Sequence, residues 1–265
     1  NAKITLKIAN CEDYIDEDLI VAFEKEFPNI DVVYSTYATN EILYNELVIN
    51  PASYDLVVPS EYMIEKLAVE GRIKKLEQDK IAGYTQNVSP YIKSVLEGIK
   101  FNDVNGTPSN LSEYLVGYMW GTMGWVYNPE YVSEEDVKHW SVVWNDDYFN
   151  KSTIKDSVRD SYILAIGYVY AEQLNDLASD IAEVKNSYLA GEVSKADYDT
   201  ALKEYNKSIT DIFNNVGDDS VTMVGEALKS LNDSLYGYEV DSGKKDMAAG
   251  KIWINFAWSG DAVYA

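Results

Sequence analysis

The sequence is poor in the residues that catalytic and metal chemistry most often uses. It has one cysteine, Cys11, and one histidine, His139. One cysteine excludes an internal disulfide. A lone histidine leaves no histidine cluster for a metal, and it offers Cys11 only one candidate base. His139 sits beside Trp140 and reads as a surface or packing residue. The motifs GxGxxG, GxxxxGK[ST], CxxC, HExxH and GxSxG are missing, and with them the usual signatures of nucleotide, metal and triad chemistry. No run of about 20 apolar residues occurs, so nothing reads as a membrane-spanning helix. Basic residues are scarce: 22 Lys and Arg stand against 44 Asp and Glu, a net charge of −22. A polyanionic partner such as nucleic acid needs the opposite balance.

What the sequence does have is acid and tyrosine. Aromatics reach 13%, with 22 tyrosines in 265 residues, rings that pack in a core yet keep a hydroxyl at a surface. A strongly negative protein concentrates cations around itself; the same acidity also simply aids solubility. The length suits one large or two smaller domains.

The chain opens directly on an alternating strand at 3–9, as a mature or trimmed protein would, followed by the loop Asn10–Tyr14. Leu19, Ile20, Phe23 and Phe27 then space as a helix face closed by Pro28. Strand 32–34 and a helix through Ile42, Leu43 and Leu47 follow. Strand 55–58 and a helix through Met63, Ile64 and Leu67 come next, stopped at Gly71. This β-α rhythm predicts a mostly parallel sheet covered on both faces. Ligands of such sheets sit beyond the carboxyl ends of the strands, which places Ser35, Thr36, Tyr37, Ser60 and Tyr62 toward one crevice. The same segments also read as ordinary βα connections.

Residues 101–108 read as a turn-rich surface loop. The stretch 118–128 is strand-like with two glycines, as suits a chain passing between domains. Ser141–Trp144 reads as a short helical turn, and Asp156 or Ser157 as the cap of a helix through Ile163, Leu164 and Ile166. Stripes at three- and four-residue spacing predict a helical hairpin over 171–214, with Ser194 capping its second arm. Then come an expected strand at Val221–Val224, a helix at 225–231 and a strand at Ile252–Ala257.

Three carboxylates, Asp13, Asp160 and Asp261, lie amid hydroxyls and aromatics. Paired carboxylates can hydrolyse glycosides, so a carbohydrate-active enzyme is one reading. A grip on a cation is another. An ammonium has three donors and no acceptor and wants carboxylates and hydroxyls, while its methylene chain wants flat walls. Tyr and Trp faces supply such walls and attract cations by about 0.5–2 kcal/mol each.

Five stretches carry a resemblance: Asn10-Cys11-Glu12-Asp13-Tyr14, Tyr34-Ser35-Thr36-Tyr37-Ala38-Thr39-Asn40-Glu41, Tyr54-Asp55-Leu56-Val57-Val58-Pro59-Ser60-Glu61-Tyr62, Tyr118-Met119-Trp120-Gly121-Thr122-Met123-Gly124 and Asp156-Ser157-Val158-Arg159-Asp160. Trp258-Ser259-Gly260-Asp261 adds to them. In that order the chain resembles the spermidine/putrescine-binding proteins, the substrate-binding components of polyamine ABC transporters. The resemblance implies an α/β, two-lobed, periplasmic-binding-protein-like fold with mostly parallel sheets and crossover hinge strands. The lobes would be 1–121 and 122–265, the second including the hairpin.

The resemblance further implies a polyamine closed between the lobes, with no catalysis, metal or cofactor. Its ligand residues fall on Asp13, Tyr14, Ser60, Tyr62, Asp160 and Trp258, joined by Thr36 at the second strand end. Cys11, Glu12, Tyr37, Ser157 and Asp261 are further candidates. Two departures stand out: Cys11 replaces the usual tryptophan, and Ser157 stands at a second acidic position. The resemblance also implies an exported, tethered protein at the periplasmic or extracellular face, partnered by an ABC permease. A same-fold binder of another small ligand is the neighbouring alternative. Family members continue into a C-terminal segment that returns to complete the first lobe. A lobe without it exposes a sheet edge that invites self-association.

Overall fold

The computed structural model describes residues 3–265, which divide into two compact units on either side of the Trp120–Gly121 bond.

In the first unit, β1 (Ile4–Cys11), β2 (Ile30–Tyr37) and β3 (Leu56–Val57) form a parallel sheet in the order β2-β1-β3. Helices α1 (Asp18–Glu26), α2 (Asn40–Ile49) and α3 (Glu61–Val69) follow the three strands in turn. β1 and β2 run further than the alternation suggested. Ser35, Thr36 and Tyr37 are not loop residues; they pair with Ala9, Asn10 and Cys11 inside the sheet. Thr and Tyr fit a pleated, half-buried surface, so the change from apolar to polar residues does not end the strand.

The expected cover on both faces is uneven: α2 and α3 bury one face, while α1 lies thinly against the other. Ala9 and Tyr37 pack with Leu43 and Leu47 of α2 and Met63 and Leu67 of α3 in one buried cluster. On the other face Ile4 is 62% and Leu56 50% exposed, and α1 buries no residue at all. Gly71, at a left-handed φ of 69°, lies just past the end of α3 beside Val104. Two further helices, α4 (Ala82–Asn87) and α5 (Pro90–Gly98), precede a small antiparallel pair, β4 (Lys100–Asn102) and β5 (Pro108–Asn110). The expected surface loop at 101–108 is therefore the tip of this hairpin, with its ends paired.

In the second unit, β6 (Met123–Tyr127), β7 (Ser152–Lys155), β8 (Gly237–Glu239) and β9 (Ile254–Trp258) form a sheet in the order β6-β9-β7-β8. β7 is parallel to both its neighbours, and β6 is antiparallel to β9. Ile154, Ile254 and Phe256 pack with Val142, Val143, Leu164 and Leu231 in its core. The turn at Trp140–Trp144 is a short 3-10 helix. Helices α6 (Val158–Val169), α7 (Ala171–Leu189), α8 (Lys195–Phe213) and α9 (Asp218–Leu231) separate β7 from β8.

The expected strand at Val221–Val224 is wrong: those residues lie inside α9. The β-branched run misleads, but Asp218 and Asp219 favour the positive helix start, and Val224, Ala227 and Leu231 share a buried helical stripe. α7 and α8 run antiparallel in contact and bury no residue. Tyr188 and Tyr198 stack across their tip, centroids 5.0 Å apart and planes within 3°. At the root, the Tyr162 hydroxyl donates to Asn215 O at 2.8 Å and Asn215 Nδ2 donates to the Tyr170 hydroxyl at 3.3 Å. α10 (Gly243–Ala248) precedes β9, and α11 (Ser259–Tyr264) follows it.

Candidate functional site

The candidate residues gather at the carboxyl ends of the parallel strands in each unit. In the first unit, β1 leads through Cys11 into Glu12, Asp13 and Tyr14. Asp13 adopts φ 58°, one of two non-glycine residues with positive φ among those described. That conformation is uncommon for a side-chain-bearing residue, and aspartate tolerates it better than most. Glu12 and Asp13 are exposed, while Cys11 and Tyr14 are half-buried. The Tyr118 hydroxyl donates to Tyr14 O, pinning the loop after β1 to the last residues of the unit.

At the end of β2, Thr36 is exposed but Tyr37 is not. Tyr37 was expected to face a ligand. Instead its ring lies in the buried cluster and its hydroxyl donates to Val58 O at 2.6 Å. Burial, helped by the Cys11 side chain, pushes this phenol far above its usual range, so it stays a neutral donor. Tyr37 thus ties β2 to the end of β3.

Beyond β3, Ser60 and Asn40 bond reciprocally: Asn40 Nδ2 donates to Ser60 Oγ at 3.0 Å, and Ser60 N donates to Asn40 Oδ1 at 2.9 Å. The Tyr62 hydroxyl donates to Glu41 Oε1 at 2.8 Å. These pairs lock the starts of α2 and α3 side by side. Thr39 caps α2 by accepting from Ile42 N at 3.3 Å. Asn40 and Glu41 entered the sequence reading only as part of a family-like stretch, not as site residues. Their signal was the cap position they follow, where polar side chains reach sideways.

In the second unit, β7 ends at Lys155 and leads to Ser157, which caps α6 by accepting from Asp160 N. Asp160 is half-buried in the first helical turn, where the helix dipole favours an anion. Ser157 is occupied by the helix start. Trp258, the last residue of β9, is half-buried and pairs with Met123. Asp261, expected as a ligand carboxylate, has both oxygens beside protein ammonium groups. Its Oδ1 accepts from Lys244 Nζ at 3.1 Å and its Oδ2 lies 3.5 Å from Lys155 Nζ. Lys155 Nζ also donates to Glu239 Oε1 and to Val240 O, each at 2.7 Å. Lys155, Glu239 and Lys244 were not anticipated. They lie far apart in sequence, and nothing local marks a charge as buried.

A hollow of about 320 Å³ in this unit is lined by Trp125, Trp140, Phe256, Lys138 and His139. Among the described residues no group of three His, Cys, Asp or Glu is placed to hold a metal. No helix among them is long and apolar enough to cross a membrane.

Comparison with known proteins bears on the family and the fold. The profile of a family described as hypothetical lipoprotein (MG045 family) matches residues 1–265. The spermidine/putrescine-binding periplasmic protein of Salmonella typhimurium is 29% identical over 210 residues, 72% of this chain and 57% of that protein. The putrescine-binding periplasmic protein PotF of Escherichia coli is 28% identical over 262 residues, 97% of this chain and 59% of that protein. The chain thus spans little more than half the length of these relatives. The solved spermidine/putrescine ABC transporter substrate-binding protein PotD of Streptococcus pneumoniae superposes with a TM-score of 0.58 at 26% identity, covering 98% of this chain and 64% of that one. The TpPotD lipoprotein of Treponema pallidum, at 18% identity and a TM-score of 0.65, shares the fold over 97% of this chain and 64% of its own. The expected α/β binding-protein fold and the resemblance to polyamine-binding proteins are both confirmed, and the chain belongs to the MG045 lipoprotein family.

Proposed function

We propose that this chain is the polyamine-binding part of the substrate-binding component of an ABC importer. The observation that carries the reading is the repeated arrangement at the strand ends. Each unit carries a carboxylate and aromatics at its strand ends, Asp13, Tyr14 and Tyr62 in the first, Asp160 and Trp258 in the second. Thr36 and Ser60 add hydroxyls. Each carboxylate, considered within its own unit, suits an ammonium group carried on an apolar chain. The Salmonella, Escherichia coli and Streptococcus relatives are named for spermidine or putrescine, which supports the same ligand class here.

The protein binds and delivers and does not catalyse. The carbohydrate-active alternative finds no support among those relatives. The lipoprotein family points to a tethered protein on the periplasmic or extracellular face, delivering to a permease. The half-covered face and open edges of the first sheet offer a surface for association with another copy.

Calorimetric titration of the full-length protein tests the reading. Spermidine or putrescine should bind, while glucose, glutamate and ATP should not. Asp13→Asn or Asp160→Asn should each cost about 2–5 kcal/mol by leaving an ammonium under-satisfied. Trp258→Ala should cost about 1–2 kcal/mol, because it removes a wall but no charge. Unchanged affinity in both aspartate variants, each with a native melting transition, would put the site elsewhere.

A further inference from the structure

Two ammonium groups and two carboxylates are packed out of water at the carboxyl ends of β7, β8 and β9. Side-chain exposure is 3% for Lys155 and for Glu239, 8% for Lys244 and 15% for Asp261. Formal charges cancel within the group. Glu239 is held from the other side as well, its Oε2 accepting from Gly243 N at 2.9 Å.

Gly243 sets where the Lys244 side chain begins. A Cβ at 243 would stand 2.3 Å from Asn255 Nδ2 and 2.8 Å from Glu239 Cδ. α10 therefore starts in a contact that only glycine permits, and the next residue delivers its ammonium to Asp261 Oδ1. A lysine ammonium and the terminal ammonium of an aliphatic amine present the same three donors on the same methylene stem. Asp261 is thus engaged by the protein's own copy of the chemical group that the proposed ligand carries.

Building on the polyamine reading, we propose that Lys244 is a specificity-determining residue. Its tethered ammonium fills the acidic position on Asp261 and lowers the number of ligand ammonium groups that this end of the second unit receives. The ligand meets Asp160 and Trp258 here. A diamine is accepted, and the third charge of a triamine finds Asp261 already taken by Lys244.

The sign of a charge-removing substitution decides the matter. Full-length protein and its Lys244→Met variant are titrated with putrescine and with spermidine. Loss of the resident ammonium should raise the spermidine-to-putrescine affinity ratio by about tenfold, the scale of one hydrogen bond to a charged group gained by the third ammonium on Asp261. A ratio that is unchanged or lower overturns the proposal. Lys244→Gln, which keeps a donor without charge, reads the same ratio if the methionine variant does not fold.

A second arm does not depend on the polyamine reading. In Lys244→Ala, propylammonium should occupy the vacated position and raise the melting temperature, with no such rise in wild type or with sodium at equal concentration. Absence of this rescue also overturns the proposal. If wild type binds neither polyamine yet the rescue occurs, the polyamine reading fails and the ammonium position on Asp261 stands.

Discussion

The Lys155–Glu239 pair offers a quantitative test of what holds the strand ends of the second unit together. Replacing Glu239 by Gln keeps the shape and an acceptor for Gly243 N, but puts a neutral amide where the carboxylate met the Lys155 ammonium at 2.7 Å. Both side chains are 3% exposed, so water cannot compensate. Breaking a buried pair from one side costs about 3–5 kcal/mol, because the remaining charge is stranded. Lys155 keeps Val240 O at 2.7 Å and Asp261 at 3.5 Å, which places the expected loss near the low end, about 3 kcal/mol. For a protein of this size that is a fall in melting temperature of about 6–12 °C. Adding Lys155→Met removes the stranded charge and should recover part of the loss. Calorimetry or near-ultraviolet circular dichroism on both variants reads the result. A Glu239→Gln protein melting within about 2 °C of wild type would show that water or rearrangement satisfies Lys155, and the burial argument would fail.

Three further outcomes follow from particular contacts. Gly167→Ala in α6 should destabilise by about 1–3 kcal/mol in chemical denaturation, against the gain of about 1 kcal/mol that helix propensity gives, because its Cβ would stand 2.5 Å from Trp140 Cδ2; a gain would refute the packing. Tyr37→Phe should cost about 1 kcal/mol by leaving Val58 O without its donor. The raised Tyr37 pKa means its stabilisation is present below the unfolded value near 10 and is lost as pH rises through the folded value. Denaturation between pH 8 and 11 should therefore show a shallower alkaline decline in the phenylalanine variant, and equal slopes would count against it. Ser194→Ala should lower stability by about 1 kcal/mol through loss of the cap on Asp197 N at 3.2 Å, visible in far-ultraviolet melting of helix content.

The fold was legible wherever one periodicity ran unbroken. The alternation at 3–9 and the stripes through Leu43, Leu47, Met63 and Leu67 placed the first β-α units because one helix or strand face is buried at each. Legibility failed where a local signal conflicted with tertiary context. Ser35–Tyr37 changed from apolar to polar within a single strand, and Val221–Val224 looked β-prone on a buried helix face. The site was legible as a set of strand-end acids and aromatics. Their division of labour was not. Tyr37 is buried and bonded to Val58 O, and Asp261 is held by Lys244, in each case by partners remote in sequence.

The helical pair α7–α8 leaves and rejoins the second unit at one seam, where Tyr162, Tyr170 and Asn215 are bonded together. Everything between is held mainly by its own two strips of side chains. Such an arm can open or fray on its own, since little of the unit's core depends on it. It can also change length in matched turns, adding or losing residues on both arms, while the seam stays closed. Lineages carrying this fold can therefore alter the arm's reach over the protein surface without disturbing the strand ends where Asp160 and Trp258 stand.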